Sequence, residues 1–307
     1  MNPNAGHGFA AKHWPEIRRA AQRLDMRHDV EHAVCFTRRS GDAVALVRKA
    51  ARQGVRRLVC VGGDGTLNEV VNGLMQEDSS WRRSVLLGYI PCGTGCDFAR
   101  TLHLPMRPAD AMAVAMSDGP TQAMDIGHLA FQGRDGDKRH AYFHNVVSFG
   151  LGGEVDERVN RSTAPLGGFL SFMLATLVSM FMYRKKRIRL CVDQGLPFEV
   201  SAWNVVVANG QYHGGGMWVA PDALPDDGLF QVIVIGDFSL PEVFLHLPKL
   251  YNGRLRNLPK VRCMSGRRIE ASSSEHVLLD MDGEQPGRLP LAIDLIAGAV
   301  RVVLPRE

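Results

Sequence analysis

Up to about residue 120, short apolar blocks alternate along the chain with longer mixed ones. Leu58-Val59-Cys60-Val61 and the run at 85–90 are nearly continuous in apolar residues, as strands covered on both faces require. The mixed segments at 9–27, 43–53 and 66–76 read as helices, the first interrupted near its start by Pro15. Ser40-Gly41-Asp42 opens the second helix and Gly54 stops it, while 30–37 reads as a further strand. Repeated strand, turn and helix predict a parallel sheet with helices on its faces.

Beyond about residue 122 strand patterns dominate, at 122–126, 141–149, 187–192, 202–208, 229–235, 277–281, 291–296 and 300–304. Glycine, proline and aspartate turns separate them, as in an antiparallel sandwich or barrel. Helices are expected at 168–183 and 240–251. The fold class is therefore α/β plus β: a Rossmann-like parallel α/β domain over 1–121 and an antiparallel β-sandwich or barrel-like domain over 122–298. A last strand at 299–305 is able to return to the first domain.

A length of 307 residues suits two domains, and 45% hydrophobic with 22% charged residues describes a globular chain. A net charge of +4 is too small and dispersed to argue for nucleic acid. The six cysteines lie scattered without a CxxC pair, which suggests reduced thiols of a cytoplasmic protein. His28 and His32 have helical spacing, but no third ligand nearby supports zinc. The N-terminus shows no signal region, and no apolar strand precedes Asn2-Pro3-Asn4-Ala5-Gly6, so either the sequence starts late or the first strand of the α/β domain is missing. Residues 166–183 carry no charge and precede Arg184-Lys185-Lys186-Arg187. Small and hydroxyl residues dilute that stretch, which favours a buried or membrane-leaning helix with a basic collar over a membrane span.

Two glycine turns carry the candidate chemistry. Gly62-Gly63-Asp64-Gly65-Thr66 follows one strand, and Pro91-Cys92-Gly93-Thr94-Gly95-Cys96-Asp97 follows the next. Glycine lets the backbone approach an anion closely, and N–H groups at a helix start can then point at phosphate oxygens. In parallel sheets ligands gather at the carboxyl ends of strands, where both turns fall. Asp64 suits either a cation bridging to phosphates or a helix cap.

In order along the chain, these motifs resemble the diacylglycerol kinase catalytic-domain family, and more narrowly its bacterial YegS-type lipid kinases. Residues 2–6 resemble the family's opening turn, Thr37 with Gly41-Asp42-Ala43 its second element, and 62–68 its GGDGTxN signature. Residues 91–100 resemble its GTxNDFAR turn, with Cys96 where the family has Asn. Asn209, Gly214-Gly215-Gly216, Ala220-Pro221 and Asp227-Gly228-Leu229 resemble its second-domain stretch, and Asp282-Gly283-Glu284 its late DGE.

The resemblance implies an ATP- and magnesium-dependent lipid kinase, acting on diacylglycerol or a related membrane lipid. It would be cytoplasmic and transiently at the inner face of the membrane. ATP would be contacted by Asn2, Pro3, Asn4, Ala5, Gly6, Thr37, Gly62, Gly63, Asp64, Gly65, Thr66, Leu67, Asn68 and Thr94. Asp64, Asp97 and Asp125 would form the acidic network around a catalytic magnesium ion, and Glu284 would be the general base. Leu224, Asp227 and Leu229 would hold a second, structural magnesium ion. Other readings stay open for single residues: a helix cap for Asp97, a solvated strand end for Asp125, and hairpin turns for Asp227 and Glu284. An NAD kinase and a non-catalytic lipid- or nucleotide-binding regulator are the competing functions. A dinucleotide-binding dehydrogenase is disfavoured because the first turn lacks the third glycine of that fingerprint.

Overall fold

The apolar runs around Cys60 and Tyr89 form adjacent parallel strands in the computed structural model, which describes residues 1–28, 33–161, 178–179 and 181–306. The chain divides into two units, Met1–Ile126 with Ala297–Glu307, and Gly127–Ile296.

The first unit contains α1 (Ala5–His28), α2 (Asp42–Arg52), β1 (Arg57–Gly62), α3 (Asp64–Met75), α4 (Ser79–Ser84), β2 (Leu86–Pro91), α5 (Asp97–Thr101) and α6 (Pro108–Met116), then the start of β3 (Thr121–Gly133). In the β1–β2 register, Val61 stands opposite Ile90 and Gly62 opposite Pro91. Val61, Ile90 and Cys92 pack on Ala10 and Ile17 of α1 and on Met112 and Ala115 of α6. Leu87 and Tyr89 instead share a small apolar space with Leu67 and Val71 of α3 and with Phe98. Cover on both faces accounts for the unbroken apolar run. Gly88 is where α6 comes closest, since a Cβ there would lie 2.5 Å from the Ala115 Cβ.

The second unit contains the rest of β3, then β4 (Lys138–Phe143), β5 (Val146–Gly150), α7 (Leu151–Arg161), β6 (Lys186–Val192), β7 (Phe198–Ala202), β8 (Asn204–Ala208), β9 (Tyr212–His213) and β10 (Met217–Trp218). There follow β11 (Phe230–Ile235), α8 (Leu240–His246), β12 (Val261–Gly266), β13 (Arg268–Ser272), β14 (Leu279–Met281) and β15 (Gly287–Val303), whose end from Ala297 belongs to the first unit. Strands β12-β11-β8-β5-β14 form an antiparallel sheet. Val147, Phe149, Val205, Val207 and Val232 project from it onto Ile188, Leu190, Ile269, Leu291 and Ile293 of the strands that pair through β13. The alternate residues Val206, Ala208 and Ile233 pack on Val219, Ala220, Phe238 and Leu255. The period of two is thus kept with both faces of this sheet covered.

Several elements differ from the sequence pattern. Residues 33–37 form no strand; Met1 meets them with its ammonium on the Cys35 carbonyl and its carbonyl on the Thr37 N–H, at 2.8 and 2.9 Å. Residues 30–32 lie outside the described residues. Regular α1 begins after Gly6, His7 and Gly8, all at positive φ. The strand expected at 141–149 is two strands, because Asp282 takes the N–H groups of His144, Asn145 and Val146. That at 202–208 is also two, β7 and β8, on either side of Trp203, whose N–H bonds the Ile235 carbonyl. Those at 291–296 and 300–304 are one, β15, which continues through Gly298 at φ 55 while Asp125 accepts the Gly298 N–H. The helix at 240–251 ends at His246 and continues as a 3₁₀ turn, Leu247–Leu250, containing Pro248. Of the helix expected at 168–183, residues 168–177 and 180 lie outside the described residues. Among the described residues no helix is long and apolar enough to cross a membrane.

Replacing Gly88 by Val forces a branched side chain into α6. The expected loss is about 1–3 kcal/mol of folding stability, read as a lower urea midpoint. An unchanged midpoint would contradict the packing described.

Candidate active site

Strands β1 and β2 end side by side, so their following turns meet. A Cβ at Gly63 would lie 2.9 Å from the Gly93 Cα, and one at Gly93 would lie 2.5 Å from the Gly63 Cα. Only glycine fits at either position. Gly62 is tied to the second turn by the Cys92 N–H on its carbonyl at 2.7 Å. The opening turn is tied to the first by two bonds of 2.9 Å, from the Asn2 N–H to the Val61 carbonyl and from Asn2 Nδ2 to Thr66 Oγ1. Asn4 N–H closes on Asn2 Oδ1 at 3.0 Å, and a Cβ at Gly6 would strike the Cys92 carbonyl at 2.5 Å. Asn2, Pro3, Ala5, Gly6, Gly62 and Gly63 thus belong to one connected cluster, with Gly65, Thr66, Leu67 and Asn68 at the start of α3 (Leu67 buried), Thr37 buried beside Met1, and Asn4 and Thr94 exposed.

The Asp64 side chain reaches across to the second turn. It accepts from the N–H groups of Asp97 and Phe98, at 3.3 and 3.4 Å, and so holds the start of α5. A Cβ on Gly95 would lie 3.3 Å from Asp64 Oδ2 and 3.4 Å from Asp97 Oδ2, which puts both carboxylates around that glycine. Asp97 is buried, with Arg100 Nε at 3.9 Å. Asp125 is no solvated strand end: it is 1% exposed and accepts the Gly298 N–H at 2.8 Å. Among the described residues no three His, Cys, Asp or Glu side chains group as metal ligands. Two carboxylates still suit magnesium, which takes one or two and fills its shell with water and phosphate oxygens.

Cys96 sits in the left-handed region at φ 50, its thiol buried and accepting the Gly93 N–H at 3.1 Å. Burial first, and the Asp64 charge second, push that thiol up to about 12. The sulfur therefore closes the second turn from inside as a neutral group.

In the second unit, Met281 and Glu284 exchange backbone bonds of 2.8 and 3.0 Å around Asp282 and Gly283, both at positive φ. This is a tight hairpin turn of the primed type. Glu284 is exposed on it, whereas the Asp282 side chain is buried. Asp282 accepts from the N–H groups of His144, Asn145 and Val146 at 2.9–3.2 Å, and His144 Nδ1 lies 2.8 Å away. Burial alone would raise the Asp282 carboxyl, but His144 and these N–H groups outweigh it and the net direction is down. The turn at 224–229 has Leu224 and Asp227 exposed. Asp227 Oδ1 accepts the Leu229 N–H at 2.9 Å, and Arg267 Nε donates to the Gly228 carbonyl at 3.0 Å. One carboxylate and two carbonyls are hard donors suited to magnesium, although Arg267 already supplies positive charge there.

The sequence reading missed the residues that hold these turns. Glu69 receives Ser40 Oγ and the N–H groups of Gly41 and Ala43, and so caps α2. His144, Ser148, His213 and Asp280 surround the late DGE. A polar residue at a buried strand position, as in Leu279-Asp280-Met281, was the available signal.

A helix-covered parallel sheet with paired glycine turns, joined to an antiparallel sandwich, defines the class of diacylglycerol kinase-like folds. Residues 1–129 match the family model of the diacylglycerol kinase catalytic domain. Residues 145–304 match the YegS C-terminal NAD kinase beta sandwich-like domain. The chain belongs to this family of YegS-type members of the diacylglycerol kinases. It is 34% identical over 300 residues to the "Probable lipid kinase YegS-like" of Chromohalobacter salexigens, covering 95% of this chain and 89% of that one. It is 27% identical over 307 residues to the diacylglycerol kinase of Bacillus subtilis, covering 100% and 95%. A solved structure of a diacylglycerol kinase from Bacillus anthracis str. Sterne shares the fold, with a TM-score of 0.70 at 21% identity over 99% of this chain and 94% of that one.

Because the Asp282 carboxyl is lowered, its contribution is present above the ordinary carboxylate range and is lost as pH falls through its folded value. Asp282→Asn is expected to cost about 1–3 kcal/mol at pH 7. Urea titrations should show that deficit closing as the pH drops below about 4. A deficit independent of pH would remove the charge from the account.

Proposed function

We propose that this chain is an ATP-dependent lipid kinase, transferring the γ-phosphate of ATP to a hydroxyl of a membrane lipid, diacylglycerol or a close relative. The observation that carries this reading is the Gly63–Gly93 contact, which gathers two turns of backbone N–H groups beside Asp64 in a chain of this kinase family. Phosphoryl transfer asks a protein mainly for positioning and charge neutralisation. Residues 2–6, Thr37, 62–68 and Thr94 would line the triphosphate, with the N–H groups at the start of α3 and the exposed Thr94 hydroxyl as compact donors. Asp64 and Asp97 would hold a magnesium ion, which supplies charge neutralisation at the phosphates, and Asp125 orders the backbone at Gly298.

Glu284 acts as the general base. Its carboxylate takes the lipid hydroxyl proton as the new O–P bond forms, and the bond to the bridging oxygen breaks to release ADP. The exposed position of Glu284 on a turn whose other carboxylate is committed to backbone N–H groups supports that role. The Leu224 and Leu229 carbonyls with the Asp227 carboxylate would hold a second magnesium ion. Exposed Phe181 and Met182, followed by Arg184, favour transient contact with an anionic membrane face, at about 1 kcal/mol per basic residue near the surface.

The test is incubation with labelled ATP, magnesium and a panel of membrane lipids, with NAD as a separate arm. A labelled lipid is expected; label in NAD alone, or in nothing, overturns the reading. Glu284→Gln should lower turnover by about 10²–10⁴-fold with little change in ATP affinity. For the second metal, protein purified in magnesium should carry one ion fewer after Asp227→Ala. Equal metal content would remove that site.

A further inference from the structure

Behind the Glu284 turn lies a buried carboxylate that the chemistry above does not use. Asp280 projects from β14 on the face opposite Leu279 and Met281, directly across from Ser148 of β5. Its side chain is 1% exposed. Oδ2 receives Ser148 Oγ at 3.0 Å and lies 2.9 Å from His213 Nε2; Oδ1 accepts the Gly283 N–H at 3.0 Å. There is no slack around it, since a Cβ on Gly152 would strike Ser148 Oγ at 2.3 Å and approach Asp280 Oδ2 to 3.4 Å.

Each end of this chain of bonds matters. Gly283 is the residue immediately before Glu284, and its N–H is fixed by Asp280. His213 ends β9 just before Gly214-Gly215-Gly216, which run at φ 63, 83 and 103. Three such glycines have little conformational preference of their own, so the hairpin they form with β10 needs an anchor. His213 is that anchor: it is largely buried, and Tyr212 beside it stacks on Trp218 with ring centroids 5.7 Å apart. A buried carboxylate left without donors is costly, so the Asp280 bonds resist independent movement of either turn.

We infer that Asp280 and His213 are positioning residues for Glu284, locking the turn that carries it to the glycine hairpin at 212–218. The inference rests on the reading of Glu284 as general base. Asp282 fixes the first central residue of the same turn, through residues 144–146, so the two residues before Glu284 are both held by buried carboxylates. Displacement of a reacting group by about 1 Å can cost about 10²-fold in rate, which sets the scale of the effect.

The experiment compares wild type, His213→Phe, His213→Gln, Asp280→Asn and Glu284→Gln, and combines each of the His213 and Asp280 variants with Glu284→Gln. ATP and dioleoylglycerol in detergent micelles serve as substrates. His213→Phe and Asp280→Asn are expected to lower kcat by about 10- to 100-fold with the KM for ATP unchanged, and His213→Gln, which keeps an N–H donor, to recover most of it. In the Glu284→Gln background the same changes should cost less than about twofold, because a residue acting only through Glu284 has nothing left to act on. Losses of equal size in both backgrounds, or an unchanged kcat for both His213→Phe and Asp280→Asn, overturn the inference. A Glu284→Gln enzyme with wild-type turnover instead overturns the base reading. Hydrogen exchange provides a readout that needs no turnover. The Gly283 and Glu284 amides should exchange at least tenfold faster in Asp280→Asn, and still be restored in His213→Gln relative to His213→Phe. Unchanged exchange in Asp280→Asn sinks the inference even if a bulkier variant fails to fold.

Discussion

The approach of Gly63 to Gly93 is the constraint on which the first unit depends. Neighbouring strands run about 4.8 Å apart, and turns leaving two parallel strands would ordinarily splay with their side chains. Here no side chain exists at the contact, and a Cβ on either residue would fall inside 3 Å of the other backbone. With the turns so close, the Asp64 side chain reaches across to the first N–H groups of α5. The Cys96 sulfur then closes the second turn from within. The cluster is therefore a backbone construction, with few side chains needed to give it shape. That suits a polyanion, whose oxygens are met by N–H groups fixed in advance.

The alternation of strand and helix was legible because each element had a distinct apolar pattern. Leu87 and Tyr89 pack to one side of β2 while Ile90 packs to the other, so the run lacks polar interruptions. Where pattern failed, a tertiary hydrogen bond had overruled it. Nothing in Tyr142-Phe143-His144-Asn145-Val146 announces a break, since Asp282, far along the chain, makes it. Ala297-Gly298-Ala299 looks like a turn, yet β15 passes through because Asp125 satisfies the Gly298 N–H. Helices α4 and α5 are too short to show a period, and they are set by neighbours instead.

The glycine turns were legible for a related reason: close backbone approach leaves no freedom of residue type, so the requirement is written in the motif itself. The partners of the motifs were not. Glu69, His144, Ser148 and His213 have no required spacing from the groups they hold, and each could be replaced by another donor or acceptor with suitable geometry. Cys96 shows the converse. Where the resemblance leads one to expect Asn, sulfur closes the turn by accepting the Gly93 N–H.

The acids of the two units differ in what answers their charge, and that difference separates structural from chemical work. Asp282 has three N–H groups and His144; Asp280 has Ser148, His213 and Gly283. Such carboxylates are engaged by the fold at both oxygens. Asp64 reaches the N–H groups of Asp97 and Phe98 at 3.3 and 3.4 Å, in a turn where Asp97 approaches the same glycine. One or two carboxylates with water and phosphate oxygens are a shell that suits magnesium. Glu284 stands apart as an exposed acid on a turn held by buried ones. A group that must gain and lose a proton in each cycle needs rigid support and access to its partner together. Fixing the two residues before it through Asp280 and Asp282, and leaving the Glu284 residue exposed, supplies both.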